Sequence, residues 1–303
     1  MELSALQREI QAALPELDLR ADEPLSRHCS FRIGGPAALL ALPASVSELT
    51  ALCALLREKG HEPFLMGNGT NLLFPDEGLR RLVIKTGPNM GRISADGVTV
   101  RAEAGAALAK VAGAALEAGL TGLEFAHGIP GSVGGGVVMN AGAYGGELKD
   151  CVTRTDYLDE TLALHTLRGE EHRFAYRTSA LANQRWILLR SEFTLALGDR
   201  EAISARMQEL AQRRRASQPL ELPSAGSTFK RPAGGYAAAL IEEAGLKGYT
   251  VGGAQVSPKH AGFVVNLGAA TCRDVLCLME HIQSAVLSRS GILLESEVRI
   301  IRR

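Results

Sequence analysis

"GIPGSVGGGVVMNAGAYGGE", residues 128–147, holds eight glycines in twenty positions, and its first charged residue is the closing Glu147. Glycine buries no side chain and loses the most backbone entropy on folding, so such a run adds nothing to a hydrophobic core. It is too apolar for a disordered tail and too irregular for a linker. It reads as a loop whose backbone must let a partner come very close, with Pro130 stiffening its entry. Gly128, Gly131, Gly134, Gly135 and Gly136 would let the chain pass against a flat or charged ligand. Asn140, Ala141, Gly142 and Ala143 continue the small-residue path to Tyr144.

A second small-residue stretch, "GNGTN" (67–71), lies between the apolar runs "PFLM" (63–66) and "LLF" (72–74). A dinucleotide fingerprint needs a third glycine at 72, where this chain has Leu72, and a helix opening directly behind the loop. Here a strand follows. A G-x-x-x-x-G-K-[ST] phosphate loop is also missing from the sequence. What survives is a strand end with backbone N–H groups that can meet an anion; a plain tight turn accounts for this loop equally well by itself. Two such loops in one strand-rich domain suggest a large phosphate-bearing cofactor lying across a sheet.

The surrounding elements are well marked. Ser45 and Glu48 form a capping box for a helix at about 46–59, ended by Gly60. Asp96-Gly97 between alternating apolar residues signals a two-residue hairpin. An alanine-rich helix spans about 106–118, and strand-like sequence runs to "RWILLRSEFTLAL" (185–197). Composition shifts near 199: helices at about 199–215, 236–245 and 272–288 alternate with the strand-like "GYTVGGAQVS" and "AGFVVNL". Thr271 and Asp274 cap the last helix, and the chain closes on a strand, "SEVRII" (296–301). The fold class is α+β: a strand-rich domain over 1–198, in two lobes of about 1–86 and 87–198, and a smaller α+β domain over 199–303.

Lys and Arg balance Asp and Glu at 33 each. That disfavours nucleic acid or a membrane surface as partner of the whole protein. Five scattered cysteines without C-x-x-C indicate neither a disulfide framework nor a metal knuckle, and no metal is expected. The opening "MELSALQREIQAAL" reads as an amphipathic helix and not a signal peptide, so a cytoplasmic protein is expected.

Eight blocks in order carry a resemblance: "SFRIGGPA" (30–37), "GNGTNLLF" (67–74), the 128–147 stretch, "YRTS" (176–179), "SAGSTFKRP" (224–232), "LIEEAGLKG" (240–248), "VSPKHAGFVVN" (256–266) and "SEVRI" (296–300). In this order they resemble the UDP-N-acetylenolpyruvoylglucosamine reductases, bacterial flavoenzymes of peptidoglycan precursor synthesis. The resemblance implies an FAD-binding domain of the vanillyl-alcohol oxidase type, which is not a Rossmann fold, followed by a substrate-binding domain. It implies non-covalently bound FAD and NADPH as reductant. The partner it implies is a small-molecule nucleotide sugar, acted on by a monomer or weak oligomer in a bacterial cytoplasm. The "YRTS"-to-199 interval is too short for the extra tyrosine-bearing loop of one branch, so the shorter branch is the better match.

The implied chemistry is reduction of an enolpyruvyl ether. Carried over by motif, Arg177 would hold the substrate carboxylate, Ser227 would donate a proton to the carbanion, and Glu297 would act beside the same carboxylate, which requires a raised pKa. Gly67, Asn68, Gly69, Thr70 and Asn71 would meet the pyrophosphate, with Gly128, Ile129, Gly131 and Ser132 near it or the flavin. Asn140, Ala141, Gly142 and Ala143 join that cofactor set, as do Arg32, Gly34 and Gly35 at the domain's entry. Tyr176, Arg215, Lys247 and His260 would line the substrate pocket, Arg215 and Lys247 facing its diphosphate. From residue type alone, Arg32 and Arg177 are equally surface arginines, Ser227 a turn former, Arg215 and Lys247 helix-end cations, and His260 a structural histidine. Two other readings stay open: an FAD oxidase of the same fold acting on an alcohol or lactone, and a non-catalytic nucleotide-sugar binding protein.

Overall fold

The computed structural model describes residues 3–302. The first two residues of the expected N-terminal helix and the last arginine of "IIRR" lie outside them. The rest of that helix forms, over Leu3–Ala13. Two compact units divide the chain: residues 1–20, 39–68 and 81–213 in unit 1, and 21–38, 69–80 and 214–303 in unit 2. A linear division at 198 therefore misplaces two short segments, 21–38 and 69–80, and most of the helix after it.

Unit 1 is built on a five-stranded antiparallel sheet. Its order is Leu164–Arg168, Val152–Leu158, Ile187–Thr194, Thr99–Glu103, Ile93–Asp96. Asp96 pairs with Thr99, so the two-residue turn is Gly97–Val98, one position on from the expected Asp96-Gly97. Along Thr99–Glu103 the period-two pattern buries Val100 and Ala102 and leaves Arg101 outward. The buried face meets helix Leu108–Glu117 through Val111, Ala112 and Ala115. A second core forms where Leu158, Ile187 and Leu189 of the same sheet meet Leu39, Ala41, Leu82 and Ile84. Helix Val46–Glu58 closes it with Leu49, Leu52, Cys53 and Leu56. Ser45 caps that helix as expected, its hydroxyl accepting from the Glu48 N–H. The apolar run before "GNGTN" is a strand, Phe64–Met66, paired parallel with Val83–Lys85.

The glycine stretch is not a loop throughout. Val133–Val138 is a helical turn, and Gly142–Ala143 pairs with Gly146–Glu147 as a hairpin. Glycine costs helix stability, but here the packing is close. A Cβ on Gly136 would sit 3.0 Å from Leu108 and 3.1 Å from Leu148, and one on Gly146 would sit 2.5 Å from the Phe125 ring.

Unit 2 carries a four-stranded antiparallel sheet of order Ser224–Ser227, Phe263–Asn266, Ala254–Val256, Thr250–Val251. Helix Cys272–Ser290 lies against its last two strands and buries Val275, Leu278, Met279, Ile282 and Val286. Thr271 and Asp274 close the expected capping box at 3.0 Å each way. The Asp76 carboxylate accepts from the Cys272 and Arg273 N–H groups at 2.7 and 3.2 Å. That caps the helix from the 69–80 segment. Segment 21–38 is tied in by Ser30 Oγ on the Ser224 carbonyl and by Asn266 Nδ2 on the Phe31 carbonyl. The closing strand is shorter than its sequence suggests. Arg299–Ile300 pair parallel to Leu72–Leu73, and Ser296 makes an isolated antiparallel bridge to Phe229.

Candidate active site

Each unit carries part of the predicted set. In unit 1, Gly131 and Ser132 run beside Ala106–Leu108, with Leu108 N–H on the Gly131 carbonyl and Val133 N–H on the Ala106 carbonyl. This leaves Ser132 buried with its hydroxyl lacking any hydrogen-bond partner among the described residues. A buried hydroxyl without a partner is costly unless a bound group satisfies it. A Cβ on Gly67 would lie 2.3 Å from that hydroxyl, so glycine here leaves the Ser132 side chain its room beneath the "GNGTN" strand end. Gly135 is exposed beside them, and its Cβ would meet nothing nearer than 3.9 Å. Gly67, Ser132 and Gly135 thus form a small-residue cradle with one unpaired polar atom, which fits a phosphate-bearing cofactor.

Other members of the cofactor list have their needs met by the protein itself. A Cβ on Gly34, at φ +136°, would lie 2.6 Å from Phe74 Cβ; one on Gly35 would lie 2.2 Å from the Asp76 carbonyl oxygen. Their glycines are therefore required by unit 2's own backbone. A Cβ on Gly142 would meet Glu147 and the Gly146 carbonyl at 2.7 Å. Asn140 is fully buried, and its amide is committed at both ends. Nδ2 donates to Glu147 Oε2 and to the Ala175 carbonyl, both at 3.1 Å, and Oδ1 accepts from the Lys149 N–H at 2.9 Å. Ile129 packs on the unit 1 core, Gly128, Ala141 and Ala143 are half-buried, and Arg32 is exposed at φ +54°.

Arg177 sits at the tip of a two-residue turn closed by mutual backbone hydrogen bonds between Ala175 and Thr178, at 3.1 and 3.2 Å. Its φ is +56°, an unusual conformation for a side-chain-bearing residue. The guanidinium carbon lies 5.0 Å from the centre of the Tyr176 ring, so the two predicted substrate residues stack. Glu147 is nearby. Lys149, at 2.8 Å, chiefly holds its carboxyl below the usual range against the opposing effect of burial, with Asn140 and the charge of Arg177 assisting.

In unit 2, a bulge shapes the end of strand Ser224–Ser227. Ser224 pairs with Val265 and Ser227 with Phe263, so the strand carries one extra residue, and Gly226 takes it up at φ +77°. The bulge leaves Ser227 exposed while Thr228 is buried. Thr228 in turn anchors the C-terminal segment, its carbonyl accepting the Glu297 N–H at 2.9 Å. The backbone of Glu297 is thereby bonded to the residue that follows Ser227, 69 positions earlier. Gly69, at φ +63°, accepts from the Ser30 N–H through its carbonyl. Asn71 reaches the Glu297 carbonyl, and Thr70 between them is half-buried.

Lys247 pairs with Glu242 at 2.6 Å, and both act electrostatically on His260. His260 Nδ1 accepts the Gly262 N–H at 3.1 Å, its ring meets Phe263 edge-on, and burial chiefly lowers its pKa. The neighbouring Lys259 donates to the Arg215 carbonyl at 2.6 Å. Lys247 and the Arg215 backbone therefore both lie by the 259–260 loop of unit 2.

A family model described as "FAD binding domain" matches residues 37–167, and one described as "UDP-N-acetylenolpyruvoylglucosamine reductase, C-terminal domain" matches residues 218–301. The UDP-N-acetylenolpyruvoylglucosamine reductase of Caldanaerobacter subterraneus subsp. tengcongensis is 49% identical over 97% of both chains. This chain belongs to the UDP-N-acetylenolpyruvoylglucosamine reductase family. The reductase of Pediococcus pentosaceus is 46% identical over 98% of both chains. The crystal structure of the Thermus caldophilus reductase superposes with a TM-score of 0.81 at 35% identity, covering 95% of this chain and 99% of that one. Alkyldihydroxyacetonephosphate synthase shares the fold alone, with a TM-score of 0.51 at 16% identity over 65% of this chain and 41% of that one. The family's FAD domain is of the vanillyl-alcohol oxidase type, which agrees with the missing Rossmann helix. No helix of the described residues is long and apolar enough to cross a membrane.

Proposed function

We propose that this reductase converts UDP-N-acetylglucosamine enolpyruvate to UDP-N-acetylmuramate with NADPH as reductant and non-covalently held FAD. The site works in the bacterial cytoplasm, in a monomer or weak oligomer. The observation carrying the residue roles is the junction at Thr228, which sets an exposed Ser227 hydroxyl beside the segment bearing Glu297. Gly67, Asn68, Gly69, Thr70 and Asn71, with Gly128, Ile129, Gly131 and Ser132, hold the cofactor, the Ser132 hydroxyl gaining its missing partner there. Bound FAD supplies the hydride acceptor for the nicotinamide and the hydride donor for the substrate's methylene carbon.

The Arg177 guanidinium, permanently charged and able to bind in bidentate fashion, holds the substrate carboxylate as negative charge spreads into it. The Ser227 hydroxyl gives its proton to the carbon next to the carboxylate. A hydroxyl is a weak acid, so the transfer needs a strongly basic acceptor. Its exposure lets water restore the proton. A protonated Glu297 carboxyl donates a hydrogen bond to the developing enolate. Lys247 and Arg215 neutralise the diphosphate, with Tyr176 and His260 lining the pocket. The FAD-binding domain holds the cofactor, and the C-terminal region recognises the nucleotide sugar.

The visible spectrum of the anaerobic protein tests this. Flavin bands that bleach with NADPH and return on adding the enolpyruvate establish both half-reactions. Bands that return only with oxygen favour an oxidase, and a protein that cannot be reconstituted with FAD overturns the cofactor assignment.

A further inference from the structure

The backbone at Arg177 is held in the left-handed region, a conformation that persists for such a residue only where its surroundings over-determine it. Beyond the turn's own Ala175–Thr178 backbone bonds, two side chains tie it down. On one flank of the turn, buried Asn140 donates through Nδ2 to the carbonyl of Ala175, the residue that opens the turn. On the other flank, buried Ser179 donates through Oγ to the Val138 carbonyl at 2.9 Å. That carbonyl belongs to the last turn of helix Val133–Val138, where no intrahelical N–H remains to meet it. Both ties run to 138–140, so the turn is fastened at each end to the glycine-rich stretch.

We propose that Ser179 and Asn140 are positioning residues for Arg177, a clamp that fixes the guanidinium against the glycine-rich segment. The proposal rests on the reading that Arg177 holds the substrate carboxylate. Neither residue touches that carboxylate; they act by denying the turn its alternative conformations. Bidentate binding is directional, and displacing a binding group by about 1 Å costs up to roughly a hundredfold in rate. Removing one tie therefore slows the step that uses Arg177 and spares the one that does not.

The test uses the FAD-loaded enzyme with Ser179→Ala, Ser179→Thr and Arg177→Ala, singly, and Ser179→Ala with Arg177→Ala combined. Stopped-flow absorbance follows flavin reduction by NADPH and reoxidation by the enolpyruvate. Titration of the oxidised flavin spectrum gives the enolpyruvate Kd. Expected for Ser179→Ala are reduction within twofold of wild type, reoxidation slower by roughly tenfold, and a raised Kd. Ser179→Thr, which keeps the hydroxyl, restores both. In the Arg177→Ala background the same alanine adds less than twofold, because nothing is left to position. An equal loss in both half-reactions, or an undiminished effect in the Arg177→Ala background, overturns the clamp. Arg177→Ala with wild-type reoxidation overturns the carboxylate reading instead, and the clamp with it. Should Ser179→Ala not fold, Ser179→Cys takes its place, with the same pattern expected and the same outcomes against it.

Discussion

The side-chain amide of Asn71 donates to the backbone carbonyl of Glu297 at 2.9 Å, and the Arg299 N–H returns a bond to the Asn71 carbonyl at 3.0 Å. A residue of the cofactor loop and the backbone of a proposed catalytic residue are thus one hydrogen-bonded unit across 226 positions of sequence. Asn71→Asp keeps the shape but removes the donor and sets two acceptors against each other. It is expected to lower unfolding free energy by about 1–3 kcal/mol and to slow flavin reoxidation by substrate. Urea denaturation and stopped-flow absorbance check the two effects; a variant at wild-type level in both would sever Asn71 from the site.

The Gly226 bulge separates backbone strain from side-chain aim. A Cβ there meets nothing within 4 Å, so Gly226→Ala suffers only the left-handed backbone at φ +77°, a cost of about 1–2 kcal/mol. Gly291, the cap of helix Cys272–Ser290, has the same open surroundings at φ +71° and no site residue beside it. The two alanine variants should lose similar stability. Only Gly226→Ala should lose turnover, because a relaxed bulge no longer presents Ser227. Similar turnover in both would detach the bulge from the chemistry.

Local chemistry made the periphery of this fold readable. Ser45 with Glu48, Thr271 with Asp274, and Asp96-Gly97 each signal over four residues or fewer: the Thr271 box forms as read, Ser45 caps its helix while Glu48 takes the Ala44 N–H, and the hairpin turns one residue later at Gly97–Val98. The short helix Val133–Val138 was hidden because glycine opposes helix formation, and what justifies it is contact with Leu108 and Leu148, which no local pattern encodes. The same limit hid the assignment of 69–80 to unit 2, since Asp76 caps a helix almost two hundred residues later. Ser179 stood in the quoted "YRTS", yet only its bond to Val138 gives it a role. Asn140 was read as a cofactor residue for its small-residue company, while its side chain is spent on Glu147, Lys149 and Ala175.

The eight glycines of 128–147 should now divide into two classes. Gly135→Ala introduces a Cβ with room in the protein and replaces a helical glycine, so the apoprotein should gain up to about 1 kcal/mol. If the backbone there lies against the cofactor, FAD affinity should fall in the same variant. Gly146→Ala, 2.5 Å from the Phe125 ring, should instead destabilise the apoprotein. Thermal melts of apoprotein and FAD titrations measure the two quantities. Unchanged FAD affinity in Gly135→Ala would leave that glycine without a ligand.

His172 is buried with both ring nitrogens engaged, Nδ1 with the Gly169 carbonyl and Nε2 with Thr155 Oγ1, each at 2.9 Å. A carbonyl can only accept, so Nδ1 carries the proton and Nε2 accepts from Thr155, whose hydroxyl then accepts from Ser191 at 2.9 Å. A second proton on Nε2 would oppose the Thr155 donor, and burial already drives the imidazole pKa down from 6.5. Because the unfolded chain binds that proton more readily, stability is fully present above about pH 6.5 and drains away as pH falls toward the lowered folded value. His172→Gln should be the less stable protein at pH 8, with the gap to wild type narrowing as pH falls from 7 to 5. Urea midpoints across that range measure the gap, and taking the difference cancels the other titrating groups, His260 among them. A gap of constant size would mean that His172 takes up its proton equally in the folded and unfolded chains, and would remove it as a source of acid sensitivity.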